Sequence, residues 1–183
     1  MAQSTHLVWI DLEMTGLNVQ YDVILEIATI ITDAQLTIIE EGPSLVIHHP
    51  KKTLDTMNEW CVTHHKISGL TDAVYTSTIS TSEAEKHTLA FIQQYCAPHT
   101  APLCGNSVWQ DKIFLQKYMP HITDYLDYRI VDISSIKALL NRWYPKNPYI
   151  LFTKADHHRA LPDIRESIEE LKHYREHFFI HYS

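Results

Sequence analysis

The sequence has 183 residues, a length that suits one domain rather than two. Apolar residues make up 45%, enough for an ordinary globular core, and no run of about eighteen of them is present to span a bilayer. With 15 basic and 22 acidic residues the net charge is −7, without the basic surplus or stripe of a protein that tracks a long nucleic-acid backbone; a nucleic-acid ligand, if there is one, is expected to be short.

In chain order, His6–Leu12 reads as a largely buried strand that breaks at Thr15-Gly16. The β-branched run Ile24–Thr32 reads as a second strand. A turn at Asp33-Ala34 leads into Leu36–Glu40, and Leu45–His48 adds another short strand. Strands this close in sequence predict an antiparallel meander. Beyond Pro50 the pattern turns helical over residues 55–67. Ser80 and Glu83 have capping-box spacing and open a helix that runs to about Tyr95. Leu103–Asn106 reads as a short strand, 109–118 as a helix, Arg129–Val131 as a strand, and Ser134–Trp143 as a helix. A loop marked by Pro145 and Pro148 precedes the last helix, for which Pro162 suits a first helical position. Ile164, Ile168, Leu171 and Phe178 share one face of it. No repeat or linker divides the chain, so the expectation is one α/β domain over residues 1–183: a meander first, helices after.

Several chemistries are argued against. The glycines, Gly16, Gly42, Gly69 and Gly105, are too dispersed for a dinucleotide fingerprint or a phosphate loop. Neither G-x-S-x-G nor H-E-x-x-H occurs. Cys61, Cys96 and Cys104 are an odd set without a C-x-x-C pair, which speaks against a disulfide framework and fits a reducing cytoplasm. Met1–Thr5 lacks the basic and apolar regions of a secretory signal.

The acidic residues are more informative. Asp11 and Glu13 stand two apart at the end of the first strand, so both side chains leave by one face. Adjacent carboxylates repel unless a cation lies between them, and Mg²⁺ or Mn²⁺ prefer such oxygen ligands. Asp111 follows the strand and turn Cys104-Gly105-Asn106-Ser107, where a solvated helix-start acid is the plainer explanation. His158 and Asp163 form H-x-A-x-x-D at the start of the last helix, and each motif alone has such an explanation.

Their order carries more than any one of them. The chain resembles the DEDDh family of 3′→5′ exonucleases, whose fold is ribonuclease H-like. Its oligoribonuclease branch is resembled in Val8-Trp9-Ile10-Asp11-Leu12-Glu13-Met14-Thr15-Gly16-Leu17, Cys104-Gly105-Asn106-Ser107 and Gln110-Asp111. Lys117–Pro120, His158–Ser167 and Tyr174–Phe178 are similar as well, so the likeness runs from about residue 6 to 179. It implies a mixed sheet of antiparallel meander plus parallel strands, flanked by helices. The implied substrate is short single-stranded RNA, dinucleotides especially, cut to nucleoside 5′-monophosphates. Asp11, Glu13 and Asp163 would hold one divalent ion, Mg²⁺ or Mn²⁺, and Asp11 would share a second with Asp111. His158 would be the general base; an imidazole titrates near 6.5 and serves at neutral pH. The resemblance further implies a wedge at Leu17, a base stack on Trp60 and a 5′-phosphate cap at His65. Ser107, Ser134 and Lys137 match phosphate contacts, and Tyr128 and Arg129 match residues lent across a homodimer.

Trp109 departs from the pattern, standing where smaller residues are common, and so does the loop Lys146–Ile150. Two alternatives stay open. A proofreading-type DNA exonuclease would use the same chemistry. A zinc-binding, histidine-rich protein could use His173 and His177, an i, i+4 pair, although no third ligand of matching spacing accompanies them.

Overall fold

The computed structural model describes residues 6–153 and 158–179; Met1–Thr5, read above for a signal, lie outside the described residues. Its centre is β1 (Leu7–Met14), paired antiparallel with β2 (Ile24–Thr32), which pairs antiparallel with β3 (Ile38–Val46). On its other side β1 pairs in parallel with β4 (Leu103–Gly105), and β4 with β5 (Ile130–Asp132). The sheet order is β3-β2-β1-β4-β5, the mixed sheet expected from the sequence.

The segments Leu36–Glu40 and Leu45–His48 were expected as separate strands. They are parts of one strand, β3, with Gly42 and Pro43 inside it. The strand lies at the sheet edge, where a proline's missing donor leaves no ladder partner wanting. Gly42 sits against the Phe91 ring, which a Cβ would meet at 2.4 Å.

Of the helix expected over 55–67, the structure forms α2 (Glu59–Ile67), and a separate short helix, α1 (Lys51–Leu54), precedes it. The Asn58 side chain accepts from Cys61 N at 2.9 Å and fixes the start of α2. Gly69, at φ 75°, then leads into α3 (Leu70–Thr76), which the sequence reading missed. The Ser80–Glu83 capping box opens α4 (Thr81–Tyr95) as expected. α5 (Val108–Tyr118), the unforeseen α6 (Pro120–Tyr125), α7 (Ile133–Trp143) and α8 (Ala160–Phe178) follow. Pro162 is the third residue of α8, not the first, still within the turn whose N–H groups have no intrahelical acceptor.

Strand alternation divides the interior into two layers. Val8, Ile10 and Leu12 of β1 pack with Ile92, Phe114 and Leu115 on one side of the sheet. Trp9 joins Ala28, Ile30, Ile164, Ile168 and Leu171 on the other, the α8 face read from the sequence, with Phe178 packed against its margin. Each fully buried aliphatic side chain contributes about 2 kcal/mol. Asp11 and Glu13 continue the register of Trp9, so they emerge on the α8 side where the hydrophobic layer ends.

Candidate active site

The β4 strand stops at Gly105 and meets β1 only at Val8 and Trp9, which leaves the end of β1 open on that edge. A crevice at the carboxyl ends of parallel strands is the usual binding place in an open α/β sheet. Into it point Asp11 and Glu13 from β1 and Asp163 from the first turn of α8. One carboxylate oxygen from each lies within 4.8 Å of the other two. Asp111, on α5, is 6% exposed, and its Oδ1 accepts a hydrogen bond of 3.0 Å from Leu12 N, between Asp11 and Glu13 in the chain.

The electrostatics of this cluster are strained. Burial, then repulsion from Asp163, Glu26 and Asp111, push the Glu13 carboxyl up to about 8, with Arg159 offsetting part of the rise. Burial also raises Asp111, aided by Asp132, while hydrogen bonds from its own N–H and that of Leu12 oppose the rise. Carboxylates held this close without a counter-charge must share protons or bind a cation. An all-oxygen donor set of this kind suits a hard divalent ion.

Two cavities flank Leu17, whose side chain is 70% exposed. One, of about 420 Å³, is lined by Glu13, Gly16, Leu17, Trp60 and His65. The other, of about 360 Å³, is lined by Asp11, Leu17, Ser107, Trp109 and Asp111. Trp60 is half-exposed; its ring stacks on His64 with centroids 4.0 Å apart and meets the His158 ring edge-on at 5.4 Å. His64 also touches His158 edge-on, at 4.7 Å. His158 itself has φ 49°, a left-handed backbone that a non-glycine residue adopts at a cost of about 1–3 kcal/mol.

His65, which the resemblance assigns to capping a 5′ phosphate, lines the first cavity from a buried position. It is 1% exposed, its Nε2 lies 2.9 Å from Met14 O, and its Nδ1 lies 3.8 Å from Glu13 Oε2. Cys61 and His65, one turn apart, are the buried residues of α2, so His65 faces inward and His64 faces the cleft. Burial lowers the His65 pKa and favours the neutral ring.

Ser107 begins α5 from a left-handed conformation, φ 51°. Its N–H reaches Asp132 Oδ1 (3.1 Å) and Ser134 Oγ (2.9 Å), and the Ser107 and Ser134 hydroxyls are 3.0 Å apart. Lys137 is engaged by Glu170 Oε1 at 3.1 Å. That fully buried carboxylate also accepts from Asn106 Nδ2 and Tyr174 OH, so Lys137, its side chain still 41% exposed, is tethered to an internal network. Tyr128 is 73% exposed, with the Arg129 guanidinium 4.4 Å from its ring centre and 3.4 Å from Asp127 Oδ1. Neither lines the two cavities. Of the alternative zinc pair, His173 Nε2 is bonded to Tyr149 O at 2.7 Å and His177 stacks on Tyr149 at 4.0 Å.

Sequence reasoning passed over His64, Asn106, Asp132, Glu170 and the pair Glu26–Arg159. Glu26 did carry a signal: it is an acid inside the otherwise apolar run Ile24-Leu25-Glu26-Ile27, and its place in a wholly buried strand demands a partner.

Comparison with known proteins adds a lineage to this geometry. The RNase T family of exonucleases matches residues 8–171. The oligoribonuclease of Haemophilus ducreyi is 52% identical over 175 residues, covering 94% of this chain and 94% of the relative. Among solved structures, the exonuclease I–single-stranded DNA complex of E. coli, in its zinc-bound form, aligns with 96% of this chain at TM-score 0.73 and 13% identity. The match spans only 41% of that longer chain. Pop2p of S. pombe, in a Mg²⁺- and Mn²⁺-bound form, aligns with 94% of this chain and 84% of its own at TM-score 0.70 and 14% identity. At such identities the two structures speak for the fold alone.

Proposed function

The chain belongs to the RNase T exonuclease family and, within it, to the oligoribonucleases, a premise from which we propose a substrate, a metal set and residue roles. It is a 3′→5′ exoribonuclease. Its substrates are RNA fragments a few nucleotides long, dinucleotides foremost, and its products nucleoside 5′-monophosphates. The observation that carries this reading is the convergence of Asp11, Glu13 and Asp163 within 4.8 Å at the open end of β1.

Asp11, Glu13 and Asp163 would hold one divalent cation, and Asp11 with Asp111 would hold a second; Mg²⁺ or Mn²⁺ suits such an all-oxygen set. When bound, such ions supply Lewis acidity that offsets charge building on the phosphate. The remaining work falls to the chain. His158 takes the proton of the attacking water on a ring nitrogen, and its edge contacts with Trp60 and His64 set the plane of the imidazole. Trp60 stacks on a base, Leu17 divides one base from the next, and His65 closes the floor of the Trp60 cavity. Ser107 and Ser134 offer hydroxyls to a phosphate, and Lys137 lends positive charge behind them. Tyr128 and Arg129, which line neither of these cavities, serve a second copy of the chain in a homodimer. The protein acts as one domain, in the reducing cytoplasm that its three buried, free cysteines suit.

The test is a time course on single-stranded RNAs of about two to ten nucleotides and on DNA of equal length. Mononucleotides released from the 3′ end, with the dinucleotide consumed fastest, are expected. Trp60→Ala should raise KM for the dinucleotide by about tenfold, the worth of one lost stack, and blunt the preference for short chains. Long RNA degraded as readily as the dinucleotide contradicts the length reading, and faster DNA cleavage turns it to the proofreading class.

A further inference from the structure

Glu26 is the third residue of β2, directly across from Glu13 in the β1–β2 register. It is 1% exposed, and its oxygens are occupied from α8 and the residue before it. Arg159 Nη2 donates to Oε1 at 2.7 Å, Arg159 Nε to Oε2 at 2.9 Å, and Ala160 N to Oε2 at 3.2 Å. Ser44 Oγ adds a contact of 3.3 Å from β3. Arg159 is the N-cap residue of α8, yet no side chain of its own caps the helix; the acceptor for the first helical N–H comes from the sheet. A two-pronged guanidinium–carboxylate pair fixes orientation as well as distance.

The neighbours of this pair give it meaning. His158, immediately before Arg159, carries a left-handed backbone, and its ring meets Trp60 and His64 edge-on. Asp163 lies one turn into the helix that Glu26 caps, its N–H on Arg159 O at 3.1 Å. We infer that Glu26, through its two-pronged pairing with Arg159 and its bond to Ala160 N, is a positioning residue that sets His158 for proton transfer. Arg159 is the arm through which it acts: a fixed guanidinium one residue from His158 leaves the imidazole few backbone conformations. The inference rests on the proposed role of His158 as the base, and the test separates the two.

The test is a double-mutant cycle on an RNA dinucleotide at saturating Mg²⁺, with Glu26→Gln, which keeps the shape and removes the charge, and His158→Ala. His158→Ala alone should lose ~10²–10⁴-fold in kcat, as a missing general base does. Glu26→Gln alone should lower kcat by about tenfold or more, with KM and the activating Mg²⁺ concentration within about twofold of wild type. In the His158→Ala background Glu26→Gln should change kcat by less than about twofold, because a residue acting through His158 has nothing left to act through. An equal loss in both backgrounds overturns the inference and makes Glu26 a prop of the fold or of the carboxylates. A shifted Mg²⁺ requirement assigns it to Glu13, and unchanged kcat removes any role. Wild-type turnover in His158→Ala overturns the base reading and the inference together. Arg159→Lys, which keeps the charge but not the two-pronged geometry, is run through the same cycle in case Glu26→Gln melts; the same non-additivity is expected, and its absence overturns the inference equally.

Discussion

Asp111 and Trp60 line the two cavities that flank Leu17 and are held in opposite ways. Asp111 is 6% exposed, with its carboxylate bonded to a strand N–H. Trp60 is 55% exposed and meets the rings of two histidines. The inner groups are thus fixed by the sheet and its helices before any ligand arrives. Around them Leu17 and Trp109 are 70% and 53% exposed, an apolar rim beside the carboxylates, while Tyr128, 73% exposed, lines neither cavity. The centre is organised in advance for charge, while the rim is left exposed.

The largest effects should come from the centre. Asp11→Ala, Glu13→Ala, Asp111→Ala and Asp163→Ala are each expected to lower kcat by at least about 10²-fold at saturating Mg²⁺, since each removes charge that the reaction needs. Their stabilities should diverge. Glu13→Ala relieves repulsion and should melt higher than wild type in chelator. Asp111→Ala strands the Leu12 N–H and should lose about 1–3 kcal/mol, and Asp111→Asn should recover most of that without recovering activity. Near-normal turnover in any of the four removes that residue from the centre.

What could be read in advance follows the same division. The D-x-E spacing of Asp11 and Glu13 becomes a shared face by strand geometry alone, and the period of Ile164, Ile168 and Leu171 becomes the buried face of α8. The Ser80 capping box is equally local. His64 and His65 show where such reading stops. Which of two adjacent histidines turns inward depends on where Asn58 starts α2 and how that helix lies against β1. The continuity of β3 through Gly42-Pro43 depends on the Phe91 ring from α4 and on an edge position no local signal reveals. Glu26 meets Arg159 across 133 residues, a distance at which no spacing rule operates.

Exposed residues should show intermediate effects, and one experiment sharpens the contrast by asking whether two of them, Tyr128 and Arg129, serve their own chain. Tyr128→Ala/Arg129→Ala should lose activity although neither residue lines a cavity beside the carboxylates. Mixed with inactive Asp11→Ala and allowed to exchange subunits, it should regain turnover, because a mixed dimer holds one site with intact carboxylates and an intact Tyr128–Arg129 pair from the other chain. A centre residue behaves differently: Asp11→Ala mixed with Glu13→Ala should regain nothing, since both belong to one chain's site. Subunit exchange verified by size and label with no recovered activity would falsify the trans role.

The smallest effect is on stability alone, and it tests the strain in the centre without catalysis. The Glu13 carboxyl is raised from an ordinary 4.5 to about 8. Between these values the folded state keeps a proton that the unfolded chain releases, so stability must fall as pH rises, and the contribution is lost on passing the folded value. His49 and His65 act in the other sense, because burial lowers both below their ordinary 6.5. Below that pH the unfolded chain takes up protons that these rings refuse, and stability rises with pH. The window from 6.5 to about 8 is therefore the one in which the carboxylate slope stands clear. One retained proton is worth at most about 1.4 kcal/mol per pH unit, a decline of a few degrees in Tm for a chain of this size. In chelator, the wild-type Tm should fall across that window. Glu13→Gln should flatten the slope without abolishing it, since buried Asp111 is raised as well. Saturating Mg²⁺ should flatten it further, because a cation keeps both carboxylates ionised in the folded state. An identical slope in Glu13→Gln would place the strain elsewhere and leave the centre no more poised for charge than the rim.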